Sequence, residues 1–468
     1  MVLFVVIYLF ATLLVGIFAS RLVNNSEDYL LAGRRLPLYI VTATLFATWF
    51  GSETILGASS EFVKGGLIAI VRDPFGAALC LLLVGLVYAR PLYRMKLLTL
   101  GDFFQRRYGK ITELIASICI MLTSLAWVAA QFVAFGIITN TLTGVGTLNG
   151  IIIGCLLVTF YTFIGGMWSV SITDFLQLIF IVLGLVVACV EIFGIVNLTE
   201  VFANAPEGFF RFWPEGGVES HLDYIAAWIT IGLGSIAGQD IFQRVMASKS
   251  EKVAVRASII SSIMYLTVAM LPLLLALAAR TLDPTLLRES TDGQMVIPGL
   301  ISKYASPLVQ VLLFGALLSA ILSTASSALL APSAILGENI IRPRLKKVSD
   351  KQLLLVTRLS VLFVAAISLG MALRRGNIYE LVGEAASVGL VSLFVPLTAG
   401  IFWKKANKTG AIASLVAGFS VWIIVSLLNP PVESILFGVA ASCLAMIIGS
   451  RTKPMPREKM KAPISTIL

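Results

Sequence analysis

Apolar runs separated by short clusters of charged residues repeat along the whole chain. They occupy residues 2–20, 38–59, 66–89, 111–142, 150–167, 173–196, 222–246, 255–279, 305–337, 353–373, 381–403, 409–428 and 432–450. A helix that crosses a bilayer needs about 20 mostly apolar residues. The pattern therefore predicts an all-α polytopic membrane protein with about thirteen transmembrane helices. The first run has no basic start and exceeds the roughly 7–15-residue apolar core of a signal peptide, so it reads as a retained helix.

Composition agrees: 58% of the residues are hydrophobic and only 13% are charged, where about 25% charged is usual in a soluble protein. That excludes a soluble globular enzyme, a disordered tail or a coiled coil as the main body. The net charge of +10 would point to nucleic acid in a soluble domain. In a membrane protein it is a topology signal, because Lys and Arg concentrate in cytoplasmic loops. Of the 35 basic residues, 27 fall on one alternate side, in loops, at the adjoining span ends and in the carboxyl-terminal tail. This places the amino terminus outside and the carboxyl terminus in the cytoplasm of a plasma or inner cell membrane, with lipid around the chain and no nucleic-acid partner.

His221 is the single histidine, so no histidine metal cage is available, and Cys80, Cys119, Cys155, Cys189 and Cys443 lack paired spacing and read as buried free thiols. The longest loops have about 25 residues, at 197–221 and 280–304, which leaves no room for a soluble catalytic module. A phosphate-binding Gly-rich loop is also missing. Uphill work would have to draw on an ion gradient.

Ionisable side chains inside spans cost about 2.5–3.5 kcal/mol on insertion scales and are functional candidates by default. Here they are Glu53, Arg72, Asp73, Asp174, Glu191, Asp240 and Glu384. Glu191 and Glu384 sit near span ends where water reaches them, and Arg72 and Asp73 are able to neutralise each other. Two spans are also interrupted, at Gly51–Thr54 and around the three glycines Gly232, Gly234 and Gly238. Glycine weakens helices, and paired broken helices point to a transporter's midplane site, although glycines also serve close packing. A third feature is the small-residue stripe Ala316, Ala320, Ser323, Thr324 and Ser327, with Ser326 beside it. It suits close helix packing and also offers hydroxyl oxygens to an alkali cation.

These motifs together resemble the sodium:solute symporter family over nearly the whole chain. The stretches that carry the resemblance are Tyr29–Arg35, the break from Ala47 to Gly57, Tyr161–Gln177, Phe242–Ser248 and Ala320–Ser327. The resemblance implies a LeuT-like core of two inverted five-helix repeats whose first and sixth helices are broken. The expected organisation is an extra helix and first cytoplasmic loop (1–37), a first repeat with its outer loop (38–221), a second repeat (222–403), two further helices (404–450) and a short basic cytoplasmic tail (451–468).

The resemblance also implies sodium as coupling ion. The main site would use the backbone carbonyls of Ala47, Phe50 and Ala320 with the hydroxyls of Ser323 and Thr324. A second site would use Asp174, Ser326 and Ser327, sharing Ser323. The solute pocket would involve Trp49, Thr54, Asp73, Trp127 and Gly238, with Gln131 and Gln239 as neighbours. The choline-transporting members look closest: Trp49 and Trp127 match two aromatics of their cation box, while Gly238 and Ala77 stand where it has others.

The expected function is therefore sodium-coupled import of a small polar or cationic solute (a choline-like cation, an amino acid such as proline, or a polyol) by alternating access. No enzyme activity and no obligatory protein partner are expected. The alternative is a solute-sensing receptor of the same fold that signals through a separate partner.

Overall fold

The computed structural model describes residues 2–289, 293–345, 349–374 and 377–452, all helix, turn and connecting loop. The predicted tail from residue 453 onward lies outside the described residues. The apolar runs form α1 (Val2–Ser20), α2 (Leu38–Trp49), α3 (Ala58–Ala69), α4 (Val71–Arg94), α5 (Lys110–Thr143), α6 (Thr147–Ile195) and α7 (Val218–Gly234). They continue as α8 (Gln239–Ala247), α9 (Glu251–Leu282), α10 (Pro307–Ile335), α11 (Asp350–Ala372), α12 (Ile378–Phe402), α13 (Lys408–Leu427) and α14 (Ser434–Thr452).

Among the described residues, nine helices are long and apolar enough to cross a membrane, or ten if the bent pair around Gly238 counts as one span. The expectation of about thirteen is not reached by this count. The difference lies in three runs: the one at 2–20, of which only the shorter stretch Val6–Ser20 is counted, and two where the chain breaks or bends. The runs predicted at 150–167 and 173–196 fall in the one 49-residue α6, and the run at 38–59 is divided at Phe50.

Straight, α6 would be about 73 Å long at 1.5 Å per residue, far beyond a hydrocarbon core of about 30 Å. It bends at Gly166, whose φ of 51° and ψ of −143° leave the helical region. Tyr161 before the bend and Ser169 after it both pack on Gly16 of α1. Only glycine is at ease in that backbone region, and a Cβ at 166 would stand 2.4 Å from the Tyr29 carbonyl oxygen. Gly166→Ala should therefore lower the melting temperature of the detergent-purified protein by several degrees. Gly194→Ala, where a Cβ meets nothing within 4 Å, should leave it unchanged; equal melting of the two variants would contradict this account of the bend.

The centre of the bundle is α10, in which every residue from Leu313 to Ile335 is buried. A helix that is apolar all round belongs in such a position. Its Ser319 hydroxyl meets Tyr8 of α1 at 2.5 Å. At the periphery, Leu3, Val190, Leu427 and Leu444 are exposed, as suits side chains that face lipid.

Close approach of helices depends on glycines. A Cβ at Gly234 would lie 2.4 Å from the Ala386 carbonyl oxygen, and one at Gly389 would lie 2.4 Å from that of Gly234. These two glycines let α7 and α12 touch backbone to backbone along one wall of the cavity described next.

Candidate functional site

Both predicted interruptions are present. Helix α2 stops at Trp49; Phe50 has ψ of 72°, and the Gly51 N–H donates to the Trp49 carbonyl at 2.9 Å. The chain becomes helical again from Glu53, through one wide turn into α3. Gly51 is required by proximity, since a Cβ there would lie 2.6 Å from the Thr324 hydroxyl and 2.8 Å from a Glu53 carboxylate oxygen. In the second interruption, Gly238 is extended (φ −73°, ψ 129°) between α7 and α8, whose axes differ by 53°.

Opposite the first break, α10 presents its hydroxyls. Ser323 and Thr324 donate to the Ala47 carbonyl at 2.9 and 3.2 Å. Phe50 and Ala320, one helical turn along from Ala47 and Ser323, are fully buried. The Ala47 carbonyl, at the end of the interrupted helix, thus stands beside two facing hydroxyls, neutral oxygens of the hard kind that suit a monovalent cation.

Asp174 of α6 adjoins this group. One of its oxygens lies 2.6 Å from the Ser323 hydroxyl, whose single proton is shared between this carboxylate and the Ala47 carbonyl, and the other accepts from Thr44. Ser326 donates to the Ser323 carbonyl at 2.9 Å. Ser327 accepts from Arg244 at 2.5 Å and from Thr48 at 3.3 Å. Arg244, counted in the sequence among the basic residues that mark the cytoplasmic side, is fully buried inside α8 and is the only basic residue among the buried ones described.

Between the two breaks lies a cavity enclosing about 600 Å³ of space, part of it continuous with solvent. Trp49, Asp73, Trp127 and Gly238 line it, as do Ala77, Thr123, Ser124, Ser235 and Tyr265. The rings of Trp49 and Trp127 meet edge to face with centroids 6.3 Å apart.

Thr54, Gln131 and Gln239 do not line the cavity. Thr54 shares a 2.5 Å hydrogen bond with Tyr265. Gln131 accepts from Ser52 at 3.0 Å and donates to Glu53 at 2.8 Å. Gln239 accepts from the backbone N–H of Leu100 at 2.7 Å. Thr54 and Gln131 thus brace the wall from behind, and Gln239 reaches the segment after α4.

Two lining residues without an assigned role in the sequence reading are Glu53 and Asp240. Both were visible as charges inside spans; only their direction was not. Trp49 donates its indole N–H to Asp240 at 2.7 Å, and Trp127 donates to Glu53 at 3.3 Å. Asp73 accepts from Tyr265 at 2.8 Å, while its other oxygen is buried without a partner. Arg72 does not neutralise Asp73: its guanidinium lies 5.6 Å from the centre of the Tyr379 ring, and no ion pair joins the two among the described residues. No group of three or more His, Cys, Asp or Glu among them is arranged to hold a metal ion.

Broken helices around a lined cavity, with a cluster of neutral oxygens beside it, define a secondary transporter coupled to a monovalent cation. The family model for the sodium:solute symporter family matches residues 29–418, and the chain belongs to that family. The high affinity choline transporter 1 of Homo sapiens is 29% identical over 436 residues, 88% of this chain and 74% of that one. Sodium/proline symporter 2 of Staphylococcus saprophyticus is 29% identical over 463 residues, 93% and 88% of the two chains.

Among solved structures, a Na+-coupled sialic acid symporter in a substrate-bound, outward-open state superposes with a TM-score of 0.82. It is 21% identical, with 95% of this chain and 96% of that one covered. The fold is thus the LeuT-like transporter fold, and the chain is a sodium-coupled symporter of a small solute, not an enzyme.

Proposed function

We propose that this protein imports a small organic cation together with sodium, and that the cargo occupies the cavity between the two broken helices. The observation that carries this reading is the lining: two indoles and three carboxylates, Glu53, Asp73 and Asp240, with no basic side chain among the residues described there. An indole face attracts a cation by about 2 kcal/mol or more once water is removed, and a buried carboxylate needs a counter-charge. The choline transporter among the relatives supports the same class.

Sodium is assigned to Ala47, Phe50, Ala320, Ser323 and Thr324, with Asp174 anchoring Ser323. A second sodium at Asp174, Ser326 and Ser327 is disfavoured, because the Arg244 guanidinium already contacts Ser327 and repels another cation there. Binding of sodium draws α2 and α10 together, and the cargo then bridges α2 and α8. Each ligand raises the affinity of the other by the same factor. The repeats 38–221 and 222–403 would rock about this site, with the amino terminus outside the cell membrane, the carboxyl terminus inside and lipid around the apolar exterior.

The test is uptake of labelled choline and other organic amines into proteoliposomes. An inward sodium gradient is expected to drive accumulation that stops when sodium is equalised or replaced by potassium. Accumulation indifferent to sodium would overturn the reading. Binding with no accumulation would instead make the protein a sensor.

A further inference from the structure

We infer that Glu53 couples the two passengers: one of its carboxylate oxygens is a further ligand of the sodium ion, and the other meets the positive charge of the cargo. This rests on the sodium and cargo positions proposed above and names the residue that links them.

The link runs over Gly51. A Cβ on that residue would stand 2.6 Å from Oγ1 of Thr324 and 2.8 Å from Oε2 of Glu53. Both oxygens therefore lie over the same face of the glycine, no further apart than the sum of those distances. The Thr324 proton is given to the Ala47 carbonyl at 3.2 Å, which leaves the lone pairs of the hydroxyl free for another partner. Among the described residues no hydrogen bond joins Thr324 to Glu53. Two acceptors brought together without a donor between them suit a hard cation, and an ion bound at Thr324 has Glu53 within reach.

The carboxylate is held in this position from both sides. Gln131 donates to Oε2 at 2.8 Å and is itself fixed by Ser52, which donates to its Oε1 at 3.0 Å. Oε1 of Glu53 accepts from the Trp127 indole at 3.3 Å, and both residues line the cavity. Asp73 and Asp240 line it too, but their donors are Tyr265 and Trp49. No hydrogen bond links either of them to Ser323 or Thr324 among the described residues.

Electrostatics then ties the two binding events together. A carboxylate removed from water is stabilised in its charged form by a cation beside it. Sodium at Thr324 supplies that cation, and the ionised Glu53 presents negative charge to a cationic cargo. One ionised carboxylate suffices, and only while sodium is bound.

The test uses the full chain purified in detergent and titrates choline by calorimetry, in saturating sodium chloride and in potassium chloride of equal strength. Sodium is expected to tighten choline binding by the wild-type protein at least about tenfold, and Glu53→Gln to bring that factor below about threefold. Asp73→Asn, expected to weaken choline in both salts alike, keeps the wild-type factor. The reciprocal measurement, sodium affinity with and without choline, should give the same factor in each protein. An undiminished factor in Glu53→Gln would overturn the inference and leave the symport reading intact, as would an equal loss of the factor in Asp73→Asn. Should Glu53→Gln fail to fold, Gln131→Met, which removes the donor that holds Oε2 over Gly51, is expected to reduce the factor; an unchanged one overturns the inference equally. Wild-type binding of choline that ignores sodium would remove the coupling itself, and absence of choline binding in either salt would remove the cargo reading on which the inference rests.

Discussion

Removing both hydroxyls that face the first broken helix, in a Ser323→Ala, Thr324→Val double variant, should raise the sodium concentration for half-maximal uptake by about 30-fold or more. The two side chains reach the Ala47 carbonyl at 2.9 and 3.2 Å, and both are fully buried. Each lost polar contact to a buried charged group costs about 1.5–3 kcal/mol, so two losses exceed a factor of 30 even with partial compensation. Valine keeps the shape of Thr324, and alanine leaves a small void in place of the Ser323 hydroxyl. The melting temperature without sodium reports the stability lost on folding, and the sodium response reports the ion site. The Ser323 hydroxyl also lies 2.6 Å from Asp174, so the double variant frees that carboxylate as well. The measurement is sodium-dependent uptake beside sodium-dependent thermal stabilisation. An unchanged half-saturation for sodium in both assays would remove these residues from the ion site.

Arg244→Ala should destabilise the protein more than any other single change in the region. The guanidinium is fully buried, donates to Ser327 and to the Asp240 carbonyl, and faces Asp174 and Asp240. Taking one partner from a buried set of charges costs about 3–5 kcal/mol, because the remaining charges stay uncompensated. The expected result is a marked drop in melting temperature and in the yield of folded protein. Arg244→Lys keeps the charge but loses the planar fork that reaches two acceptors at once, and should recover part of the loss. A wild-type melting temperature for Arg244→Ala would show that the carboxylates are balanced in another way.

Much of this arrangement was legible in the residue pattern. A glycine, a serine and a glutamate inside an apolar run marked the first break, and three glycines in seven positions marked the second, because such residues lower helix stability where nothing else demands them. The hydroxyl stripe on α10 followed from helical spacing, as did its facing of Ala47 once the family resemblance supplied the partner. What spacing could not supply was direction at the breaks. Glu53 and Asp240 each lie within three residues of a non-helical residue, where the turn of 100° per residue no longer tells which way a side chain points.

Long-range pairing was hidden for the same reason. Glu53, Asp73 and Asp240 share a cavity while standing up to 187 positions apart in the chain. Thr54 and Gln131, expected at the cargo, stand behind the cavity wall, bonded to Tyr265 and Glu53. Arg72 and Asp73, adjacent in the chain, are held apart because Asp73 is extended at the start of α4 while Arg72 turns to Tyr379.

The short break after Trp49 carries a further consequence. Ala47, whose carbonyl meets the Ser323 and Thr324 hydroxyls proposed for sodium, and Trp49, whose indole meets Asp240 across the cavity, are two residues apart at the end of α2. One hinge thus reports on both passengers. A change that stiffens or loosens residues 50–52 need not abolish transport; it would let ions slip through without cargo. For a cell, that is the more harmful failure, since a leaking carrier drains the gradient on which its other importers depend.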